Sequence, residues 1–139
     1  MIELSIVKGT KTILLWRNWW GYRFGVGRAA FVNAGCRATN CLITYKETFL
    51  PHEKFDAFVI HQPTQKTLWK LKNRRPDQIF VMFSTEPPVH MPKDLAKFEN
   101  YYNYTMSYRS GSDFRLKYGE IIPLESAPSS EDDAIVMRQ

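Results

Sequence analysis

Apolar residues gather in five short runs rich in β-branched and aromatic side chains: Thr12 to Trp16, Cys41 to Thr44, Ala57 to His61, Ile79 to Phe83 and Tyr104 to Tyr108. Each has the length of an ordinary strand. The segments between them suit helix or loop, so strands alternate with helices around an open sheet, an α/β pattern. Between the third and fourth runs, Pro63 and Thr64 predict a helix start; that helix carries Leu68, Trp69 and Leu71 and ends near the Asn73 to Pro76 break. Between the fourth and fifth, Pro92 starts a second helix whose Leu95, Phe98 and Tyr102 recur at three- and four-residue spacing, as a core-facing stripe does. From Ser126 to Asp133 the chain becomes small, polar and acidic, which reads as a linker. The expected organisation is one compact unit over residues 1–124 and an acidic tail over 125–139.

A chain of 139 residues with 44% hydrophobic and 14% aromatic residues has the material for a packed core and is not the composition of a disordered segment. It fits one domain, or one lobe of a larger protein. The formal charge of +5 would suit an anionic partner. Its densest block, Lys66, Lys70, Lys72, Arg74 and Arg75, reads as the solvated face of a helix, and a nucleic-acid partner is not expected. No stretch approaches the ~20 apolar residues of a membrane span, and Met1 to Lys11 lack the apolar centre of a signal peptide. Cys36 and Cys41, with three histidines in the whole chain, support a zinc site poorly. A local disulfide, bridges to another lobe and two free thiols all stay open; an oxidising compartment would favour a bridge.

The residue with the clearest chemistry is Glu86. The apolar run Ile79 to Phe83 delivers the chain to Ser84, Thr85 and Glu86, and Pro87-Pro88 follows. Ligands of open α/β sheets bind beyond the carboxyl ends of the strands. Two prolines hold a carboxylate there on a turn that cannot relax back into sheet. A general base needs such placement within hydrogen-bond reach of the proton it removes. The same residues also suit a helix cap or an exposed loop carboxylate.

Several segments, in order, carry more than any one of them. They are Lys11-Thr12-Ile13-Leu14-Leu15-Trp16, Trp20-Gly21-Tyr22-Arg23-Phe24, Cys41-Leu42-Ile43-Thr44 and Asp56-Ala57-Phe58-Val59-Ile60-His61. Next come Arg75-Pro76, Phe83-Ser84-Thr85-Glu86-Pro87-Pro88-Val89-His90, Tyr104-Thr105-Met106-Ser107-Tyr108-Arg109, Ser112-Asp113 and Tyr118-Gly119. In this order and at these spacings, residues 11–122 resemble the N-terminal, acceptor-side domain of the α1,3/α1,4-fucosyltransferase family. Two places depart from that pattern: Trp19 stands where a proline is expected, and Ser110-Gly111 replaces an arginine-like residue and an aspartate.

The resemblance implies one half of a two-lobed GT-B glycosyltransferase, with a Rossmann-like open sheet flanked by helices. GDP-fucose would be held mainly by a C-terminal donor lobe, and an N-acetylglucosamine-containing glycan acceptor would meet this half. By position Glu86 inherits the family's base, in a step that inverts the anomeric carbon and needs no metal. Trp19, Trp20 and Tyr22 are the aromatic rings suited to stacking on sugar C–H faces. His61, Gln62 and His90 are candidates for bonding acceptor hydroxyls. Arg109 and Asp113 read as a structural bridge that orients the loop toward Tyr118-Gly119. Asn103-Tyr104-Thr105 is an N-glycosylation sequon, which matters in the secretory pathway. A full-length member of the family would be a type II membrane protein of the Golgi lumen. The alternative expectation is a stand-alone carbohydrate-binding or orphaned inactive domain.

Overall fold

A computed structural model describes residues 8–16, 24–61, 71, 73–91 and 95–119 of the chain. Six strands form one open sheet: β1 (Lys11–Trp16), β2 (Cys41–Thr44), β3 (Ala57–His61), β4 (Ile79–Ser84), β5 (Tyr104–Ser107) and β6 (Phe114–Arg115). They lie in the order β2-β1-β3-β4-β5-β6, and every neighbouring pair is parallel. This is the open α/β sheet expected from the apolar runs, and it is Rossmann-like. All five predicted strands form, with β1 starting one residue earlier, β4 running one further to Ser84, and β5 stopping at Ser107.

Parallel central strands are covered on both faces, so their residues are buried on both. The register states this residue by residue. Leu14 lies beside Phe58 and Phe58 beside Phe80, while on the opposite face Leu15 lies beside Val59 and Val59 beside Val81. The first face packs Leu14, Trp16, Phe58, Ile60 and Phe80 against Phe55, Phe98 and Tyr101. The second packs Leu15, Val59, Val81 and Phe83 with Ile43, and Phe24, Phe31 and Met106 close it. Phe58 anchors the first face through ring contacts with Trp16, Phe55 and Phe80 at centroid distances of 5.6, 5.7 and 4.9 Å.

Short elements escape the sequence pattern, among them one helix and one strand. The helix α1 (Ala29–Asn33) is a single five-residue stretch with no fully buried side chain, and β6 is two residues long. Neither is long enough to show a period. A backbone bridge from Gly27 to Ile43 brings α1 onto the sheet, and Gly25 just before it has φ +82, with its Cα facing Ala30 so closely that a Cβ would stand 3.0 Å from that side chain.

The helix expected from Pro92 is corrected. Pro92 lies outside the described residues, and Leu95–Phe98 is a 3-10 turn, in which Phe98 is buried and Leu95 exposed. Asn100, at φ 58, leaves the helical region and ends it, so Tyr101 and Tyr102 reach the core from the following turn. The helix expected from Pro63 and Thr64, with Leu68 and Trp69, falls outside the described residues.

Arg74, counted in the sequence among solvated charges, is instead a clamp between β4 and β5. Its guanidinium sits 4.1 Å from the centroid of the Phe80 ring and donates to the Tyr101 carbonyl at 2.5 Å and to Asn103 Oδ1 at 2.6 Å. The same Asn103 oxygen accepts the Phe80 N–H at 2.8 Å. At the amino ends of β1 and β3, the Asp56 carboxylate accepts the Thr12 N–H at 2.8 Å, the Thr12 hydroxyl at 3.0 Å and the Lys11 ammonium at 3.0 Å. Burial works against its charge, but the Thr12 and Lys11 hydrogen bonds outweigh it and hold the carboxyl below the usual carboxylate range.

Candidate functional site

Because every strand is parallel, all carboxyl ends open on one rim. That rim carries Trp16, His61, Ser84 and Ser107 as the last residues of β1, β3, β4 and β5. The strand order reverses between β1 and β3, and ligands of such sheets bind outside the carboxyl ends near that reversal. Glu86 follows β4, the strand next to β3.

The loop that presents Glu86 is fixed at both ends by one side chain. Ser84 is buried, its Oγ accepts the Glu86 N–H at 3.2 Å, and its hydroxyl lies 3.2 Å from Met91 Sδ. Between them, Pro87 is extended at φ −67 and ψ 157, and Pro88–His90 forms a 3-10 turn closed by His90 N–H to the Pro87 carbonyl at 2.9 Å. Tyr118 donates its hydroxyl to the Thr85 carbonyl and ties the end of the sheet to the same loop. The turn folds His90 back over Glu86, with Nδ1 3.1 Å from Oε2. The Glu86 side chain is 41% exposed, and Oε1 has no partner among the described residues.

Glu86 lines a cavity of about 170 Å³ together with Met82, Ser84, Met91, Ser107 and Arg109; Pro88, Leu95 and Tyr108 complete it. Drug-sized ligands fill larger pockets, so this space takes one small ring or one ring substituent. Its methionine, leucine and proline walls suit C–H surface. Its hydroxyls, the carboxylate and the Arg109 guanidinium, which has no ion pair among the described residues, suit the polar edge. Of these residues the sequence singled out Glu86 for the site and read Arg109 only as a structural bridge: Met82 and Ser107 are strand residues whose direction a one-dimensional pattern leaves open.

The other predicted residues divide. His61 ends β3 on the rim but is buried, its ring 5.0 Å from that of Phe83, so it faces the packed second face rather than open solvent. His90 is exposed beside Glu86. Trp19, Trp20, Tyr22 and Gln62 lie outside the described residues. Arg109 and Asp113 do not bridge one another. Asp113 takes the Thr105 N–H at 2.7 Å and the Thr105 hydroxyl at 2.8 Å, and these bonds hold its carboxyl below the usual range. An aspartate eight residues on from a strand residue reaches that strand's backbone before it reaches a solvated arginine. Cys36 and Cys41 are both free thiols, not bonded to each other. Asn103 and Thr105 of the sequon are engaged by Arg74 and Asp113. Among the described residues no three His, Cys, Asp or Glu side chains are grouped to hold a metal ion, and no helix is long and apolar enough to cross a membrane.

Comparison with known proteins accords with this geometry. The family model described as Fucosyltransferase, N-terminal matches residues 8–119. Alpha-(1,3)-fucosyltransferase C of Drosophila melanogaster is 29% identical over 130 residues, covering 85% of this chain and 30% of that protein. A 3-galactosyl-N-acetylglucosaminide 4-alpha-L-fucosyltransferase of Pan troglodytes is 30% identical over 133 residues, covering 91% of this chain and 34% of its own length. A human 4-galactosyl-N-acetylglucosaminide 3-alpha-L-fucosyltransferase reaches 41% over 56 residues, 40% of this chain and 15% of that protein. The chain spans about a third of the length of the relatives that match it most fully. A family match that begins before β1 and ends after β6 covers the whole described sheet, and the chain belongs to the fucosyltransferase family, in its N-terminal domain.

Proposed function

We propose that this chain is the acceptor-side lobe of an inverting α1,3-fucosyltransferase and that Glu86 is its general base. The observation that carries the reading is Glu86 itself, a lining residue of a small cavity at the carboxyl end of β4, with Oε2 taken by His90 and Oε1 without a partner among the described residues. In the proposed step Oε1 accepts the proton of an acceptor hydroxyl as that oxygen attacks the anomeric carbon of fucose. The bond from that carbon to the nucleoside diphosphate breaks, GDP leaves with the electron pair, and the configuration inverts through an oxocarbenium-like transition state.

The acceptor is a glycan containing N-acetylglucosamine, the sugar named in the activities of the chimpanzee and human relatives. Its ring, or the substituent beside the attacking hydroxyl, occupies the cavity over Met82 and Met91, with the Ser84 and Ser107 hydroxyls and Arg109 at its polar edge. Trp19, Trp20, Tyr22 and Gln62 extend the acceptor surface in this reading, and His61 shapes the rim from beneath. GDP-fucose is held mainly by a donor lobe within the part of the relatives that this chain does not cover. A lobe that meets only the acceptor does not fix both reactants in one geometry, so the isolated chain turns over little or not at all. The complete enzyme works in the Golgi lumen as a type II membrane protein.

The test joins this chain to the donor lobe of one of the fucosyltransferases it matches and supplies GDP-fucose with an N-acetyllactosamine acceptor. The account expects fucose on the N-acetylglucosamine with its anomeric configuration inverted relative to the donor. Retention of configuration would overturn it.

A further inference from the structure

Resting on Glu86 as the base, we propose that His90 is its positioning residue, whose Nδ1 holds Oε2 and thereby turns Oε1 toward the acceptor. His90 stands here in a different role from a direct contact to an acceptor hydroxyl.

The backbone makes this contact reproducible. Glu86 is anchored through its N–H on the buried Ser84 hydroxyl, and His90 is anchored through its N–H on the Pro87 carbonyl. The Met91 N–H bonds the Pro88 carbonyl at 3.2 Å and closes the same turn. Two prolines fix φ between the partners, so both side chains leave backbone that has little freedom left to lose. The carboxylate can only accept, so Nδ1 must carry the proton in this contact. In the neutral ring that assigns the Nδ1–H tautomer and leaves Nε2 outward. The pair is exposed, 63% for His90 and 41% for Glu86, and exposed pairs add little to stability. Its consequence is orientation: among the described residues one of the two carboxylate oxygens has a partner and the other has none, and both belong to a residue that lines the cavity.

Two measurements test the proposal. In the chain itself, ¹⁵N NMR of the His90 ring reads the tautomer; the Nδ1–H form should predominate and should give way to the Nε2–H form in Glu86→Ala. An Nε2–H ring in the parent, unchanged by Glu86→Ala, would overturn the contact. In the active two-lobed enzyme, His90→Ala should lower kcat on the order of ten- to a hundredfold with KM for the acceptor nearly unchanged, the size of a misplaced reacting group. His90→Asn places an amide nitrogen where Nδ1 stands and should restore most of kcat, whereas His90→Gln, which reaches the Nε2 position, should not. Rescue by Gln rather than Asn, with a raised acceptor KM in the Ala variant, would show a direct acceptor contact and refute positioning. If Glu86→Gln abolishes turnover while His90→Ala keeps parental kcat, positioning fails and the base stands; if Glu86→Gln is itself active, the base fails whatever His90 does.

Discussion

Ser84 Oγ lies 3.2 Å from the backbone nitrogen of Glu86 and accepts its N–H, so the last residue of β4 sets where the carboxylate begins. Removing the hydroxyl leaves that N–H without its partner and frees the loop from Met91. Ser84→Ala should therefore cost about 1 kcal/mol of stability and lower kcat on the order of tenfold through misplacement of Glu86. Thermal unfolding and steady-state kinetics on the two-lobed enzyme check both, and Ser84→Thr should recover most of the loss. An alanine variant with parental kcat would remove Ser84 from the account of the site.

At the opposite end of the sheet, Asp56 gives the fold a dependence on pH. Its carboxyl is held below the ordinary value by the Thr12 and Lys11 bonds against the opposing effect of burial. A carboxylate with a depressed folded-state pKa stabilises fully above its unfolded value, about 3.9, and that contribution is lost as pH falls through the lower folded value. Asp56→Asn should then be less stable than the parent by roughly 1–2 kcal/mol near neutrality, with the gap narrowing below about pH 4. Urea unfolding of both proteins at pH 7 and pH 3 reads the gap; a constant difference would contradict the assignment.

Asn103 is both the acceptor residue of a sequon and the oxygen that Arg74 and the Phe80 N–H share. A glycan on Nδ2 would leave Oδ1 in place, so the clamp and the modification are compatible. Asn103→Gln, which displaces the oxygen, should destabilise the chain by about 1–3 kcal/mol even when it is produced without glycosylation, since it strips a partner from a charged group and a strand N–H. Unfolding of the bacterially produced variant measures this. Equal stability would mean that Arg74 is held sufficiently by Tyr101 and the Phe80 ring.

The strands were legible because both faces of a parallel sheet are apolar, and runs such as Ala57 to His61 stand out without any period. The position of Glu86 was legible because prolines announce where β4 must stop. What the sequence concealed depends on contacts between distant residues. Asp113 turned to Thr105 and not to Arg109, and Arg74 turned inward onto Phe80, since each found a backbone or ring partner that spacing along the chain does not reveal. The Leu95 to Tyr102 stripe had helical spacing, yet Asn100 in the left-handed region broke it. His90 was visible as a candidate, but only the 3-10 turn after Pro87 brings its ring onto Oε2.

The most direct test of the central claim is the turnover of Glu86→Gln in a two-lobed enzyme built on this chain. Glutamine keeps the size and the backbone anchor on Ser84 but cannot take a proton. The account predicts a fall in kcat of about 10²- to 10⁴-fold, with acceptor KM changed little and unfolding temperature unchanged. A glutamine variant that transfers fucose at the parental rate would contradict it and return Glu86 to the status of a surface carboxylate.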